Sequence, residues 1–248
     1  MSEVLLRAER ITKCYEGESV VEDISIHLDK GELVSLLGVS GSGKTTLFHV
    51  LSGLNKPDGG KVFLRGEDIS GCPGHISYML QKDLLLSHKK IADNVALPLV
   101  IRGENKKAAR EKAASYFEQF GLAGTEEKYP AQLSGGMRQR AALLRTYLGS
   151  RGVALLDEPF SALDALTKSE IHEWYLSVME KIDLSTLFIT HDIDEAIRLS
   201  DRIYILGGKP GRIIGELKIS PARPRAKDFA LSPEFAEYKR QILSLLGM

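Results

Sequence analysis

The stretch "LVSLLGVSGSGKTTLFHVLSGL", residues 33–54, decides the fold of this chain. It opens with a short apolar run, which is typical of a buried strand. A glycine-rich loop follows, and "GKTTLFHVLSGL" then predicts a helix that stops at Gly53. Within this stretch, "GVSGSGKT" at Gly38–Thr45 matches the pattern G-x-x-x-x-G-K-S/T completely. The pattern requires a strand before it and a helix after it, and both are predicted here.

The loop at residues 38–46 predicts a phosphate-binding site. Its glycines let backbone amides wrap around phosphates, Lys44 reaches the outer phosphates, and the Thr45 hydroxyl faces Mg²⁺. A glycine-rich turn without a function would leave that lysine and that threonine unexplained. The candidate nucleotide-binding residues are Gly38, Val39, Ser40, Gly41, Ser42, Gly43, Lys44, Thr45 and Thr46.

The stretch "VALLDEP", residues 153–159, supplies the acidic partner of this loop. Its apolar residues place Asp157 at the end of a buried strand, where the carboxylate can reach the metal ion. Glu158 beside it can orient or deprotonate an attacking water. A hydrophobic run that ends in Asp-Glu is a weak signal alone, because helix caps look similar. Beside a phosphate loop it becomes a strong one.

A second phosphate-binding pattern lies downstream, in "LSGGMRQR" at residues 133–140. Ser134, Gly135 and Gly136 open a predicted helix, and the exposed amides and hydroxyl of a helix start form an anion site. Two such helix starts on one chain imply either two nucleotides or one nucleotide that is shared between two chains. Only the upstream site carries a lysine and a metal ligand.

The composition is that of an ordinary globular protein, with 248 residues, 43% of them hydrophobic and 27% charged. Lysine plus arginine equals aspartate plus glutamate at 33 each, which argues against nucleic-acid binding through bulk positive charge.

Cys14 and Cys72 are far apart, so we expect neither a disulfide framework nor a zinc site. Without a signal-peptide pattern or a run of about 18 apolar residues, a cytoplasmic chain is expected.

Strand and helix patterns alternate along most of the chain. The first third is strand-rich and includes "HISYML", which predicts a short strand that ends at Gln81. From Val153 onward, "VALLDE", "TLFIT" and "RIYIL" predict buried strands, separated by helices over 164–181 and 192–199. This alternation predicts an α/β protein with a mainly parallel sheet and helices on its faces.

The middle of the chain and its end depart from that alternation. Residues 92–101 predict a helix, and a second one begins with an Asn105 cap and stops at Gly121. These form a helical insert at about 83–145 within a domain at 1–220. The tail at 221–248 ends in a helix with an apolar stripe, made of Phe235, Tyr238, Ile242 and Leu245.

The set of motifs resembles the nucleotide-binding subunit of an ATP-binding cassette (ABC) transporter. "LSGGM" resembles the signature of that family, with Met137 where the family usually has glutamine. Gln81 resembles its glutamine loop, and "SALD", Ser161–Asp164, the loop after its catalytic glutamate. His191, after "TLFIT", resembles its switch histidine. The order and spacing match from about residue 4 to residue 215, and the agreement of these motifs is highly specific.

The resemblance implies an α/β fold with a P-loop NTPase core, an N-terminal antiparallel β subdomain and an inserted α-helical subdomain. It also implies ATP and Mg²⁺ as ligands, and a head-to-tail homodimer in which each signature helix caps the γ-phosphate held by the other chain. The residues that it implies as catalytic are Glu158, His191, Lys44 and Gln81. Those that it implies at the metal ion are Thr45, Asp157 and Gln81. Ser134, Gly135 and Gly136 would then act in trans, and Asp164 would organise the dimer seam.

Two assignments have a structural alternative. The resemblance places Tyr15 against adenine, although a tyrosine at a strand edge is commonly packing. His191 could be a surface histidine, but the strand before it and the family match favour a γ-phosphate contact. We expect stray surface positions for the other histidines, which are His27, His49, His75, His88 and His172. The tail helix either packs on its own domain or regulates dimer closure.

The stretch after Gln81 and the tail resemble importers for nitrate, sulfonates, taurine and thiamin-precursor pyrimidines. Ser87 and His88 depart from the "LLPW" that is usual in that subgroup, and the cargo stays open. The implied partners are integral membrane permease subunits and, indirectly, a solute-binding protein, with the chain peripheral on the inner face of the membrane. A soluble ABC ATPase, for example in iron–sulfur assembly, is the alternative. A scaffold without hydrolysis is disfavoured by Glu158 and His191.

Overall fold

The computed structural model describes residues 3–161, 165–223, 225–226 and 228–247. Its strands are β1 (Val4–Tyr15), β2 (Glu18–Asp29), β3 (Leu33–Gly38), β4 (Gly59–Leu64), β5 (Glu67–Asp68), β6 (Ser77–Met79), β7 (Val153–Asp157), β8 (Ser185–Thr190), β9 (Arg202–Gly207) and β10 (Arg212–Lys218). Its α-helices are α1 (Lys44–Leu51), α2 (Ile91–Ile101), α3 (Lys106–Ala114), α4 (Gly135–Gly149), α5 (Ala165–Met179), α6 (Ile193–Leu199) and α7 (Pro233–Leu246). Short 3₁₀ turns lie at Pro130–Gln132 and Phe229–Leu231.

The larger sheet of the described residues has the strand order β10-β9-β3-β8-β7-β6. It is parallel from β9 to β6, and β10 pairs antiparallel with β9 at its edge. Every residue of β3, β7, β8 and β9 is buried. Such continuous buried strands are typical of a parallel sheet that is covered on both faces, and they confirm the mainly parallel sheet predicted from the sequence.

A second sheet of the described chain, in the order β2-β1-β4-β5, is antiparallel. One face packs on α1, since Leu47 and Phe48 of that helix share a core cluster with Ile24, Ile26 and Leu28 of β2. The same cluster takes in Val34 and Leu36 of β3. Helix α1 is therefore held between the two sheets, which fixes the loop at its start. This sheet is the antiparallel subdomain that the family resemblance implies.

Helices α2 and α4 pack together in the middle of the chain. Val95 and Leu99 of α2 lie in one core cluster with Ala141 and Leu144 of α4. Pro98 lies inside α2 near its C-terminal end, and the helix runs on to Ile101. The predicted helix at 92–101 is thereby confirmed. The helical segments of this region extend from 91 to 149.

The helix predicted from Asn105 to Gly121 is wrong at its C-terminal end. Asn105 caps α3 as expected, since its side chain accepts from the amide of Lys107. The helix ends at Ala114, and the amides of Tyr116 and Phe117 then donate to the carbonyls three residues back, at 3.2 Å and 3.1 Å. These tight turns bury the rings of Phe117 and Phe120 in the core. The residues between Ala114 and Gly121 therefore reach the core through turns and not through a longer helix.

The tail helix α7 packs on its own chain. Phe235 and Ile242 are buried against Ile203 and Ile205 of β9 and Ala196 of α6. Leu245, also predicted in the stripe, is 40% exposed. Of the two roles left open for this helix, the contacts therefore favour packing on its own domain. Across the described residues, none of the helices has both the length and the apolar character that crossing a bilayer requires.

The loop before β10, which ends at Gly211, packs closely against the phosphate loop at residues 38–46. Gly211 donates to the Val20 carbonyl at 2.9 Å, and a Cβ at Gly211 would lie 2.1 Å from the carbonyl oxygen of Ser42. Any larger residue must therefore displace the backbone of the phosphate loop.

We predict that Gly211→Ala lowers the free energy of unfolding by about 1–3 kcal/mol, the usual cost of overpacking. The measurement is denaturant unfolding by circular dichroism. Gly59→Ala is the matched control, because a Cβ there meets Thr12 at 3.4 Å, an ordinary contact. Equal unfolding free energies for the two variants would contradict this account of the loop.

Candidate active site

The pairing of β7 with β8 brings the acidic pair beside His191. Asp157 lies opposite Ile189 in the parallel register, and the amide of Glu158 donates to the Ile189 carbonyl at 3.1 Å. His191 follows Ile189 by two residues. Because β3 flanks β8 on its other side, the phosphate loop that follows β3 opens at the same edge. The carboxyl ends of three neighbouring strands thus build the site.

The phosphate loop wraps around the amino group of Lys44. The Nζ of Lys44 donates to the carbonyls of Gly38 at 2.8 Å and Val39 at 2.9 Å. Gly43 has a φ of 95°, and a Cβ there would lie 2.6 Å from Val21 Cγ1. Burial lowers the pKa of Lys44, and the charges of Glu158 and Asp157 oppose that effect. The loop therefore holds a cation at the start of α1.

Thr45 and Asp157 meet at the entrance of the loop. The Thr45 hydroxyl donates to Asp157 Oδ2 at 3.3 Å, and the Tyr78 hydroxyl donates to the same oxygen at 3.1 Å. Burial raises the pKa of Asp157, while these two hydrogen bonds favour its ionised form. The pKa of Tyr78 is also raised by burial, so its hydroxyl remains a donor.

Glu158, which follows Asp157, is in contact with both His191 and Gln81. His191 Nδ1 lies 3.2 Å from Glu158 Oε1, and Gln81 Nε2 donates to Glu158 Oε2 at 3.1 Å. The same Gln81 nitrogen lies 3.4 Å from the Ser161 hydroxyl. Glu158 has a φ of 45°, a strained left-handed conformation of the kind that clusters at active sites. Three of the residues predicted as catalytic therefore lie in contact.

A cavity of about 600 Å³ lies between the phosphate loop and the residues Gln81, Glu158 and His191. Its lining residues are Val20, Ser40, Gly41, Gly43, Lys44, Thr45, Thr46, Gln81, Glu158 and His191. The volume is in the range of a small-molecule site. Among its described lining residues, none comes from the second phosphate pattern at 134–136.

That second pattern opens α4, as the sequence predicted. Ser134 is the N-cap of α4, and its hydroxyl accepts from the amide of Met137 at 3.3 Å. Gly135 lines a neighbouring cavity of about 860 Å³, which shares Gln81, Glu158 and His191 with the first cavity. In this chain the helix start is thus close to the acidic side of the site but does not line the phosphate-loop cavity.

Tyr15 lies at the end of β1 and is 43% exposed. Its hydroxyl accepts from Asn55 Nδ2 at 2.7 Å, and Lys13 Nζ lies 5.5 Å from the ring centroid. The hydroxyl of Tyr15 is therefore held by a hydrogen bond, while much of the ring surface is exposed to solvent.

Asp164, predicted at the dimer seam, lies outside the described residues.

The expectation of a surface position for His172 is wrong. Its side chain is only 8% exposed, and its Nε2 lies 2.9 Å from Glu195 Oε1. Sequence reasoning also missed Tyr78, whose hydroxyl reaches Asp157. "HISYML" showed a strand, but the function of its tyrosine depends on the pairing of β6 with β7. No local signal marked either residue.

Comparison with known proteins agrees with this geometry. The family described as ABC transporter matches residues 21–161. The chain belongs to the ABC transporter family. It is 43% identical to the formylaminopyrimidine import ATP-binding protein ThiZ of Halalkalibacterium halodurans, over 99% of this chain and 98% of that protein. It is 35% identical to the nitrate import ATP-binding protein NrtD of Synechocystis, over 91% of this chain and 87% of that protein.

A solved structure is similar to this ABC transporter chain throughout its core. The dimeric post-hydrolysis state of the ATP-binding cassette MJ0796, bound to ADP and Pi, matches with a TM-score of 0.74 and 26% identity. The match covers 88% of this chain and 100% of that one. The α/β fold that the sequence predicted is thereby confirmed, with its parallel core and its antiparallel and helical parts.

We predict that Tyr78→Phe raises the pKa of Asp157 further, because a hydrogen bond to an ionised carboxylate favours ionisation. The phenyl ring keeps its contacts with Phe48 and His49, so the fold is preserved. The measurement is a pH titration of the Asp157 carboxyl ¹³C signal by NMR. Tyr116→Phe, in the helical region, is the control, and an unchanged Asp157 titration in Tyr78→Phe would contradict the assignment.

Proposed function

We propose that this chain is the ATP-hydrolysing subunit of an ABC importer, which drives uptake of a small solute through a separate membrane permease. The observation that carries the proposal is the placement of Glu158, His191 and Lys44 around one cavity in a chain of this family. The similarity to import ATP-binding proteins extends over almost the whole chain. These relatives favour an importer over the alternative of a soluble ABC ATPase.

The residues of the cavity divide the reaction between them. Lys44 and the amides of the phosphate loop bind the phosphates. Glu158 orients the attacking water and takes its proton, since its carboxylate faces the cavity and is anchored by the backbone bond to β8. His191 contacts the γ-phosphate and, through its 3.2 Å contact, orients Glu158. Gln81 holds the second oxygen of Glu158.

The donor set at the loop entrance fits Mg²⁺. Thr45, Asp157 and Gln81 offer oxygen atoms, which are the ligands that this ion prefers, and Mg²⁺ is usually bound by one or two carboxylates together with substrate phosphates. Within the described parts of the chain, no group of three or more His, Cys, Asp or Glu residues forms a metal cage of its own. Bound Mg²⁺ would neutralise charge on the phosphate oxygens.

The second phosphate pattern acts in trans. Ser134, Gly135 and Gly136 do not line the phosphate-loop cavity of their own chain, which supports their contact with a nucleotide held by a second copy. The relative MJ0796 is dimeric in its post-hydrolysis state. ATP thus bridges two copies head to tail, Asp164 organises the seam between them, and hydrolysis releases the bridge. Met137 leaves the helix cap intact, because it takes part through its backbone amide.

The partners follow from the import function. The chain is cytoplasmic and sits on the inner face of the membrane through permease subunits, which receive solute from a solute-binding protein. The cargo belongs to the class of thiamin-precursor pyrimidines or of nitrate and sulfonate-like anions, and the higher identity to the formylaminopyrimidine import protein favours the former.

The deciding experiment is purification of the tagged chain from its own cells in mild detergent, followed by mass spectrometry of the proteins that co-purify. A multi-spanning permease together with a solute-binding protein supports the proposal. The binding protein is then screened against formylaminopyrimidine, nitrate and aliphatic sulfonates. Repeated recovery of soluble partners alone would overturn the importer assignment and leave the ATPase assignment standing.

We predict that Glu158→Gln binds ATP but hydrolyses it at least about a hundredfold more slowly, the usual contribution of a general base. The variant should accumulate a closed dimer, detected by size-exclusion chromatography with ATP. Lys44→Ala should fail earlier, at binding, because it loses its contact with the phosphates. Glu173→Gln, an exposed position on α5, is the matched control. Near-normal turnover in Glu158→Gln would remove that residue as the base.

We predict that Tyr15→Ala raises the KM for ATP several-fold, because an exposed ring provides stacking surface for adenine. Tyr15→Phe separates this role from packing, since it keeps the ring and loses only the hydrogen bond with Asn55. The measurement is steady-state hydrolysis at varied ATP. The stacking role is rejected when the alanine variant keeps the wild-type KM.

A further inference from the structure

A buried polar cluster lies behind the Glu158–His191 pair, and the proposed reaction gives it no role. It joins His172 of α5, Glu195 of α6 and Thr190 at the end of β8. The side chains of His172 and Glu195 are only 8% and 4% exposed. Burial of a carboxylate is costly unless it is paired and hydrogen-bonded, so these contacts hold Glu195 in one place.

One end of the cluster reaches the backbone that carries His191. His172 Nε2 lies 2.9 Å from Glu195 Oε1, and the Thr190 hydroxyl donates to the other oxygen of Glu195. The same hydroxyl accepts from the amide of Asp192 at 3.0 Å. The residues on both sides of His191 are therefore tied to His172 through a continuous series of contacts.

His172 also contacts the segment that carries Glu158. The imidazole packs edge to face on Phe160, with ring centroids 4.8 Å apart. Phe160 follows Glu158 by two residues and is buried. His172 is thus linked to both segments whose separation determines the 3.2 Å contact between His191 and Glu158, to one directly through Phe160 and to the other through Glu195.

Lys168 reinforces the same arrangement from α5. Its Nζ lies 2.7 Å from Asp192 Oδ2 and 3.6 Å from Glu195 Oε1. Asp192 is the N-cap of α6, accepting from the amide of Glu195 at 3.1 Å. Helix α5 therefore supports the start of α6 through two side chains, one charged and partly exposed, the other buried.

We propose that His172 is a positioning residue for ATP hydrolysis, which fixes the distance between Glu158 and His191 from behind. The inference rests on the proposed ATPase function. His172 does not touch the cavity and leaves nucleotide binding alone. Loss of its contact leaves Glu195 with the longer 3.6 Å contact to Lys168 of α5, so Glu195 can move, and Thr190 and the Asp192 amide shift with it. Misplacement of a reacting group by about 1 Å can cost up to a hundredfold in rate.

The test compares variants of the full chain in ATP binding, in kcat and KM, and in thermal unfolding. His172→Leu removes the contact with Glu195 and keeps an apolar partner for Phe160. His172→Gln restores a donor on a side chain of similar reach. Thr190→Val removes the hydroxyl that links Glu195 to Asp192 while His172 stays intact. Glu173→Gln is the control on the exposed face of the same helix.

We expect kcat to fall about tenfold in His172→Leu and in Thr190→Val, with ATP affinity and KM within a factor of two of wild type. His172→Gln should recover most of that loss. A purely structural residue would lower the unfolding midpoint without a selective loss of kcat, and that outcome overturns the inference. So does a His172→Gln variant as slow as His172→Leu, or a normal kcat in Thr190→Val.

These outcomes separate the inference from the function on which it rests. A wild-type chain that binds ATP without hydrolysing it, even with its permease, refutes the proposed function. A wild-type chain that hydrolyses ATP normally, beside a His172→Leu variant that does the same, refutes the inference alone. When His172→Leu does not fold, Thr190→Val and His172→Gln decide the question.

Discussion

The register of three parallel strands, β3, β8 and β7, is the constraint on which the site depends. In that register Leu37 lies opposite Thr190, and Ile189 lies opposite Asp157. The phosphate loop and the acidic pair begin within two residues of these positions, and His191 lies within two residues of them as well. A slip of one residue would turn every side chain of a strand to the other face. Because all the residues of these strands are buried, such a slip is strongly disfavoured, and the site inherits its geometry from the core.

What could be predicted from the sequence was local in origin. The phosphate loop, the strand before Asp157 and the cap at Ser134 are patterns of a few adjacent residues, and each is found as expected. The end of α3 was mispredicted because the apolar spacing continues past Ala114, while the backbone does not. The burial of Phe117 and Phe120 in a core shared with other helices decides where that helix stops, and periodicity does not contain this information.

The parts of the site that sequence reasoning missed depend on distant contacts. Tyr78 reaches Asp157 because β6 pairs with β7 and Tyr78 lies opposite Leu155. His172 meets Glu195 because α5 lies beside the start of α6, where Lys168 also contacts Asp192. Neither residue stands in a motif, and each looked like an ordinary member of its element. Sequence motifs indicate the residues proposed to contact the nucleotide. The residues that position them are brought there by tertiary packing, which no local motif records.

The charges of the cavity give a physical reason for the two helix starts that are proposed to bind phosphate. Among the described lining residues, the positive charge of a lysine comes from Lys44. This charge interacts with the carboxylates of Glu158 and Asp157. Burial acts to raise the pKa of Asp157, since it disfavours the negative charge of that carboxylate. A triphosphate adds further negative charge to the same space, beyond what one ammonium group and one helix terminus can neutralise. A divalent cation beside Asp157 and a second helix start from another copy would both reduce this excess. In the proposed dimer the second helix start would come from the partner, so closure of the dimer would also stabilise the γ-phosphate, and loss of that phosphate would weaken the contact between the two copies.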